Sequence, residues 1–387
     1  MKTAVPSPPL SNADAETSSV MPEKRPVRNV RPPQARGDQL MTLSVRRWCV
    51  WMGIGAGLVG VIFLTCLSFG SEPIHFSRIL TVLAEPLVGE GATISPGDPS
   101  EVILLHVRIP RLLLAFLVGG SLAMVGVALQ ALLRNPLADP FVIGISSGAA
   151  LGAAMALLLG LGAAVGTISA LPVCAFLGAL GSLMLVYRLS ATHSGFSVYT
   201  LLLAGVVVNA IFSAFILFLT SVADPNKTFG MYAWLMGTLT GPDYVTLIIL
   251  GGYLVLGLGF LAAKAQALNL MTLGEETARS LGVEVERVKK IVFLMSALVT
   301  GAVVAFSGLI GFVGLIVPHA IRLGVSADHR LLMPLSGLVG GAFLMVADTV
   351  ARTLLSPIEL PVGVVTALVG GPVFLYLLTQ RRVGRFG

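Results

Sequence analysis

The ionisable and nucleophilic residues of this chain are arranged against most kinds of catalysis. A nucleotide-binding loop of the form G-x-x-x-x-G-K-[ST] is missing, because Lys227-Thr228 follows Asn226 rather than glycine, so the chain is not expected to hydrolyse ATP itself. The metalloprotease pattern H-E-x-x-H is missing too. His75 and His106 fall in a mixed segment, His193 and His329 in loops and His319 in an apolar run, so metal-ligand spacing does not arise. Cys49, Cys66 and Cys174 stand singly in apolar segments, as packing residues do. Neither a cofactor, a metal site nor a catalytic residue is expected. Gly144-Ile145-Ser146-Ser147-Gly148 matches G-x-S-x-G, but it opens an apolar run where no strand-to-helix elbow is expected, which reads as close packing of small residues. Asp348 is the nearest case of an ionisable group deep in an apolar run, where charge is expensive. Arg352 lies four residues on, on the same helical face, so the pair reads as a local ion pair and not as a relay.

The longest charged stretch between the first and last long apolar runs is Leu268 to Lys290, LNLMTLGEETARSLGVEVERVKK. Thr272 or Gly274 can start a short helix with Glu275 and Glu276 in its first turn, where carboxylates suit the helix dipole, and Gly282 can end it. A second turn then starts near Val283. Leu273, Ala278 and Leu281 supply an apolar side, and Glu275, Glu276 and Arg279 a polar one. The pattern fits a small docking surface for another protein; it fits equally a solvated connector whose charges keep it out of a bilayer.

The elements that position these residues are apolar helices. With 55% hydrophobic and 11% charged residues, the chain reads as an all-α polytopic membrane protein. At about 20 residues per crossing, the apolar runs leave room for about ten spans. They run from about 48 to 69, 112 to 133, 141 to 161, 168 to 189, 199 to 221, 244 to 263, 291 to 307, 309 to 323, 331 to 355 and 362 to 378. Phe229 to Leu239 is apolar but too short to cross. The 44 Gly suit close helix packing in lipid. Residues 1–44, rich in Pro, Ser and Arg, are expected to be a disordered cytoplasmic tail, and 45–387 the transmembrane domain. Net charge is +6, yet Lys and Arg sit in that tail and at the ends of apolar runs, which reports topology and gives no reason to expect nucleic acid as a partner. All but Arg78, Arg108, Arg111, Lys227 and Arg352 fall on one side, so both termini are expected in the cytoplasm.

Several long segments together resemble one family. Arg108-Ile109-Pro110-Arg111, NPLADPFVIGISSGAALGA (Asn135 to Ala153), GEETARSLGV (Gly274 to Val283), GFVGLIVPHAIRL (Gly311 to Leu323), ADHRLLMPL (Ala327 to Leu335) and ELPVGVVTALVGGPVF (Glu359 to Phe374) are similar to the FecCD-type permease subunits of ABC importers for ferric siderophores, haem and cobalamin. The resemblance covers about residue 45 to the end. It implies a ten-helix subunit of the type II importer fold, a second copy across a translocation path, two cytoplasmic ATPase subunits and an extracytoplasmic substrate-binding protein. It further implies that Gly274, Glu275, Glu276, Ala278, Arg279, Leu281 and Gly282 couple to the ATPase. Arg108, Arg111 and Arg352 would receive acidic residues of the binding protein. Transport of an iron chelate across the inner membrane is the implied task, with cobalamin as the alternative; an ion-coupled secondary carrier is the rival from another class.

Overall fold

A computed structural model describes residues 44–70, 72–88, 99–161, 164–165, 168–192 and 195–383. The 1–44 tail and His193 lie outside the described residues, apart from Ser44 itself, which precedes the first helix. The described chain is built of helices: α1 Val45–Ser68, α2 Phe76–Val88, α3 Pro99–Leu132, α4 Ile145–Leu158, α5 Ala170–Ser190, α6 Val198–Val222, α7 Pro225–Leu235, α8 Tyr244–Ala263, α9 Ala265–Thr272, α10 Glu275–Ser280, α11 Val285–Ser307, α12 Val313–Gly324, α13 His329–Thr353 and α14 Val362–Val383. Two tiny antiparallel pairings, Ala164–Val165 with Ile168–Ser169 and Ala191–Thr192 with Gly195–Phe196, flank α5.

Among the described residues, seven helices are long and apolar enough to cross a bilayer: α1, α3, α5, α6, α8, α11 and α13. Three of the expected spans are shorter apolar helices in the described residues, namely α4, α12 and the 362–376 part of α14. The burial pattern sorts the long ones. α3, α11 and α13 are mostly covered by other helices, whereas α1, α6 and α8 leave most of their residues bare. α13 lies along α3, and α1 lies on α13.

Glycine permits that closeness. A side chain on Gly340 of α13 would meet Ala123 and the Gly119 carbonyl of α3, and one on Gly178 of α5 would meet the backbone of Gly148 of α4. Gly148 belongs to the G-x-S-x-G match, and two serines beside it tie the helices together: Ser147 Oγ and Ser182 Oγ both donate to the Gly144 carbonyl, at 2.8 and 2.7 Å, while Ser146 is buried in α4. The segment is a helix seam.

Local signals set several boundaries. Asp243 caps α8 by accepting from Thr246 N, Ser197 caps α6 from Thr200 N, and Pro225 opens α7 after Asp224. Two boundaries differ from the expected ones. The eighth span begins at Val313 and not near Leu309, because Gly308 and Phe312 both hold positive φ (64° and 68°) and break the chain between α11 and α12. The second begins at Pro99 and not near Leu112, so Arg108 and Arg111 lie within a helix that has a π-helical turn at Ile103–Arg108.

Candidate functional site

Charge gathers at the two ends of this bundle. At one end α10 stands as a six-residue helix after Gly274, whose φ of 122° is open to glycine, and is closed by Gly282 at φ 84°. Val283 N donates to the Ala278 carbonyl and Gly282 N to that of Arg279, both at 3.0 Å, which completes a Schellman cap. The short helix and both glycines match the sequence reading, but its faces do not. Glu275 and Ala278, three residues apart, share the inward face: Ala278 is fully buried, and Glu275 pairs with Lys289 at 2.7 Å. Arg134 and Arg279 stand 3.6 and 3.9 Å from the same carboxylate. The surface that α10 presents is therefore Leu273, Glu276, Arg279 and Leu281, with Ala278 and Glu275 holding it from behind.

Beneath α10 lies a network that sequence reasoning missed. Asp328 caps α13 and takes Arg330 at 2.6 Å, while Asn269 of α9 donates to Asp328 at 2.8 Å and accepts from His329 N at 2.9 Å. Burial raises the Asp328 pKa, but hydrogen bonds from Arg330 and Asn269 outweigh it and hold the carboxyl below the usual carboxylate range. His329, expected in a loop, is buried with Nδ1 2.7 Å from Asn269 Oδ1. Nearby on α3, Gln130 donates to the Gly314 carbonyl and accepts from Arg322, each at 3.0 Å, tying α3 to α12. Asp139, before α4, is buried with one backbone donor, Phe141 N at 2.9 Å, and burial pushes its carboxyl up to about 6.

The other end holds the three arginines. Arg111 Nε lies 3.0 Å from Asp348 and its NH1 2.9 Å from Glu359; Arg352 Nε lies 3.1 Å from Asp348. The last is an ion pair without hydrogen-bond alignment. Arg108 turns inward from the π turn to donate to the carbonyls of Leu67, at 2.6 Å, and Glu72. Asp348 has no exposed surface, Arg108 and Arg352 have 2% and 7%, and only Glu359, at 56% of its side chain, is openly solvated. The cluster links α1, α3, α13 and the approach to α14. The Asp348–Arg352 pair is as the four-residue spacing predicts; Arg111 joining it was invisible, being 237 residues away.

Next to Arg111 a cavity of 440 Å3 opens between α7 and the start of α14, lined by Phe229, Met236, Leu239, Leu360 and Glu359 among others. Thr238 and Met236 of its lining belong to a backbone junction. Thr238 N donates to the Ser307 carbonyl at 3.0 Å, and side chains on Gly308 or Gly363 would strike the carbonyls of Trp234 or Met236. α7, the α11–α12 link and α14 thus meet where only glycine fits.

Comparison with known proteins agrees with this architecture. The pattern of the FecCD transport family matches residues 58–380. An uncharacterized ABC transporter permease of Bacillus subtilis is 40% identical over 86% of this chain and 94% of its own. A cobalamin import system permease of Halobacterium salinarum is 40% identical over 87% of this chain and 98% of its own, and a hemin transport system permease of Yersinia pestis 42% identical over 76% and 88%. A solved structure described as an inward-facing metal-chelate type ABC transporter superposes with a TM-score of 0.71 at 30% identity, covering 86% of this chain and 99% of that one. A polytopic helical bundle with a capped short helix at one end and an arginine cluster at the other, matched over most of its length, belongs to the FecCD transport family.

Proposed function

We propose that this chain is the membrane-spanning subunit of an ATP-driven importer for an iron chelate, siderophore or haem. The observation that carries the reading is α10, a short helix held by Glu275 and Ala278 so that Leu273, Glu276, Arg279 and Leu281 face outward for an ATPase subunit. Cobalamin is the second reading, supported by the Halobacterium salinarum relative, whose identity is close to that of the hemin permease.

The subunit works by moving, with chemistry left to the ATPase. A second copy would pair across the bare apolar surface of α6, where Leu203, Val206 and Phe215 are exposed, and the path would run between the copies. The 440 Å3 cavity beside α7 would be its mouth on the side of the binding protein. A partner carboxylate reaches Arg111 first; to reach Arg108 or Arg352 it has to displace the Leu67 carbonyl or Asp348. Both termini would then be cytoplasmic.

Reconstitution tests this. Uptake into vesicles should require the ATPase and the binding protein and persist with an uncoupler. Uptake by this chain alone that collapses with an uncoupler would establish a secondary carrier instead. The ligand retained by the purified binding protein distinguishes iron chelate from cobalamin.

A further inference from the structure

We propose that the cleft between the last turn of α8 and the first turn of α11 binds the head group of an anionic phospholipid. The cleft measures 490 Å3 and is lined by Ala263, Lys264, Gln266, Leu270, Glu284 and Arg287 among others. Its depth fits a head group, because α8 is apolar up to Ala263 and α11 turns apolar from Ile291 onward. This placement rests on reading α8 and α11 as membrane spans, and not on the identity of the cargo.

The charges have the right sign and freedom. Lys264 is half-buried, and its ammonium lacks an ion-pair or hydrogen-bond partner among the described residues. On the facing wall Arg287 is exposed and commits one nitrogen to Glu284 at 3.2 Å, keeping its other donors. Lys290, one turn further along α11, is exposed and lies outside the lining of the cleft. Two cations thus line the cleft with one carboxylate, and a phosphate would take Arg287 from Glu284.

The surfaces next to these cations select a lipid over a free anion. Leu256 and Phe260, spaced by four from Lys264, form an exposed apolar stripe along α8, and Leu294, four beyond Lys290, is exposed on α11. The two helices pack together, since a side chain on Gly257 would meet Val299. Cations at head-group depth with apolar strips running beneath them fit a phosphodiester with acyl chains; basic pockets between helix ends recognise anionic lipids in this way. Gly282 and Val283, whose amides close α10, also line the cleft, so the lipid would touch the back of the proposed ATPase-binding turn.

The test uses the purified full-length chain in neutral detergent, titrated with phosphatidylglycerol or with phosphatidylcholine of the same chains, and native mass spectrometry of retained lipid. Phosphatidylglycerol should be retained on the order of tenfold better. Lys264→Gln with Arg287→Gln should abolish the preference, and Glu284→Gln, which releases Arg287, should strengthen it. Equal retention of phosphatidylglycerol by wild type and the double variant overturns the proposal. So does displacement of the lipid by inorganic phosphate at equal concentration, which marks a simple anion site. Loss of ATPase association by the double variant, with phosphatidylglycerol retained as well as by wild type, assigns the cleft to protein docking and also overturns it. Should the double variant not fold, Glu284→Gln decides: unchanged retention sinks the proposal. A wild-type chain that stayed soluble without detergent would instead defeat the membrane reading.

Discussion

At the arginine end a carboxylate without exposed surface, Asp348, stands between two guanidiniums, whereas at the α10 end Glu275, about a third exposed, is shared among Lys289, Arg134 and Arg279. Each cluster joins distant helices, but their surroundings differ. Water cannot replace a lost partner of Asp348, so that cluster fixes α3 and α13 in one arrangement. Lys289 is buried, but water can reach Glu275 and replace Arg134 or Arg279, so that cluster can exchange part of its contacts.

The largest test breaks the fixed end. Asp348→Ala leaves the buried Arg352 without an ion-pair partner and Arg111 with Glu359 alone, and should cost about 3–5 kcal/mol, seen as a steep fall in the unfolding midpoint in detergent. Glu275→Ala should cost far less; equal losses would mean that burial does not separate the two ends. Asp139 sharpens the point, being a buried carboxylate without a cation beside it among the described residues. Its pKa rises to about 6 in the folded state, so the folded state keeps a proton that the unfolded chain releases above about pH 4. Stability falls as pH rises between about 4 and 6 and stays reduced above that. Asp139→Asn, which keeps an acceptor for Phe141 N, should therefore stabilise the protein at pH 7.5 by up to roughly 3 kcal/mol and change little at pH 4. A gain that did not vary with pH would refute this origin.

What the sequence made legible follows from how local its signals are. The run from Tyr244 to Ala263 was placed to the residue because it is unbroken and is bounded by Asp243 and Lys264. Gly274 and Gly282 framed α10 because positive φ favours glycine there. Phe312 carries the same backbone sign without glycine, so its break is imposed by packing and left no mark in the sequence. The π turn that draws Arg108 inward has no composition of its own. The faces of α10 were misread because Lys289, which turns Glu275 inward, lies fourteen residues away on another helix. Asn269 and Asp328, 59 residues apart, could not be paired by spacing at all.

The exchangeable end is probed by separating support from docking. Glu275→Lys places a fourth cation beside Lys289, Arg134 and Arg279, and should release α10, with roughly 1–2 kcal/mol lost. Protease cleavage within 274–282 should then rise and ATPase capture fall together. Glu276→Lys, on the exposed side, should reduce capture with cleavage unchanged. If both variants raised cleavage equally, α10 would not have a supporting face and a docking face.

The smallest effect lies at the single solvated member of the arginine end. Glu359 is 56% exposed and meets Arg111 at 2.9 Å, so the pair contributes roughly 0–1 kcal/mol to folding and is screened by salt. Glu359→Gln should leave the unfolding midpoint almost unchanged, in contrast to Asp348→Ala on the other side of the same guanidinium. Its consequence should appear in docking. With Glu359 neutral, one nitrogen of Arg111 faces the 440 Å3 cavity without a carboxylate, and an acidic binding protein gains a cation at the most accessible point of the cluster. Association should strengthen several-fold at low ionic strength and return to the wild-type value at high salt, because steering by exposed charge decays with the Debye length. Weaker association would mean that the partner reads Glu359 itself and approaches with a cation. An unchanged affinity at all salt concentrations would leave Arg111 as a brace between α3 and α13, with docking carried elsewhere on the rim.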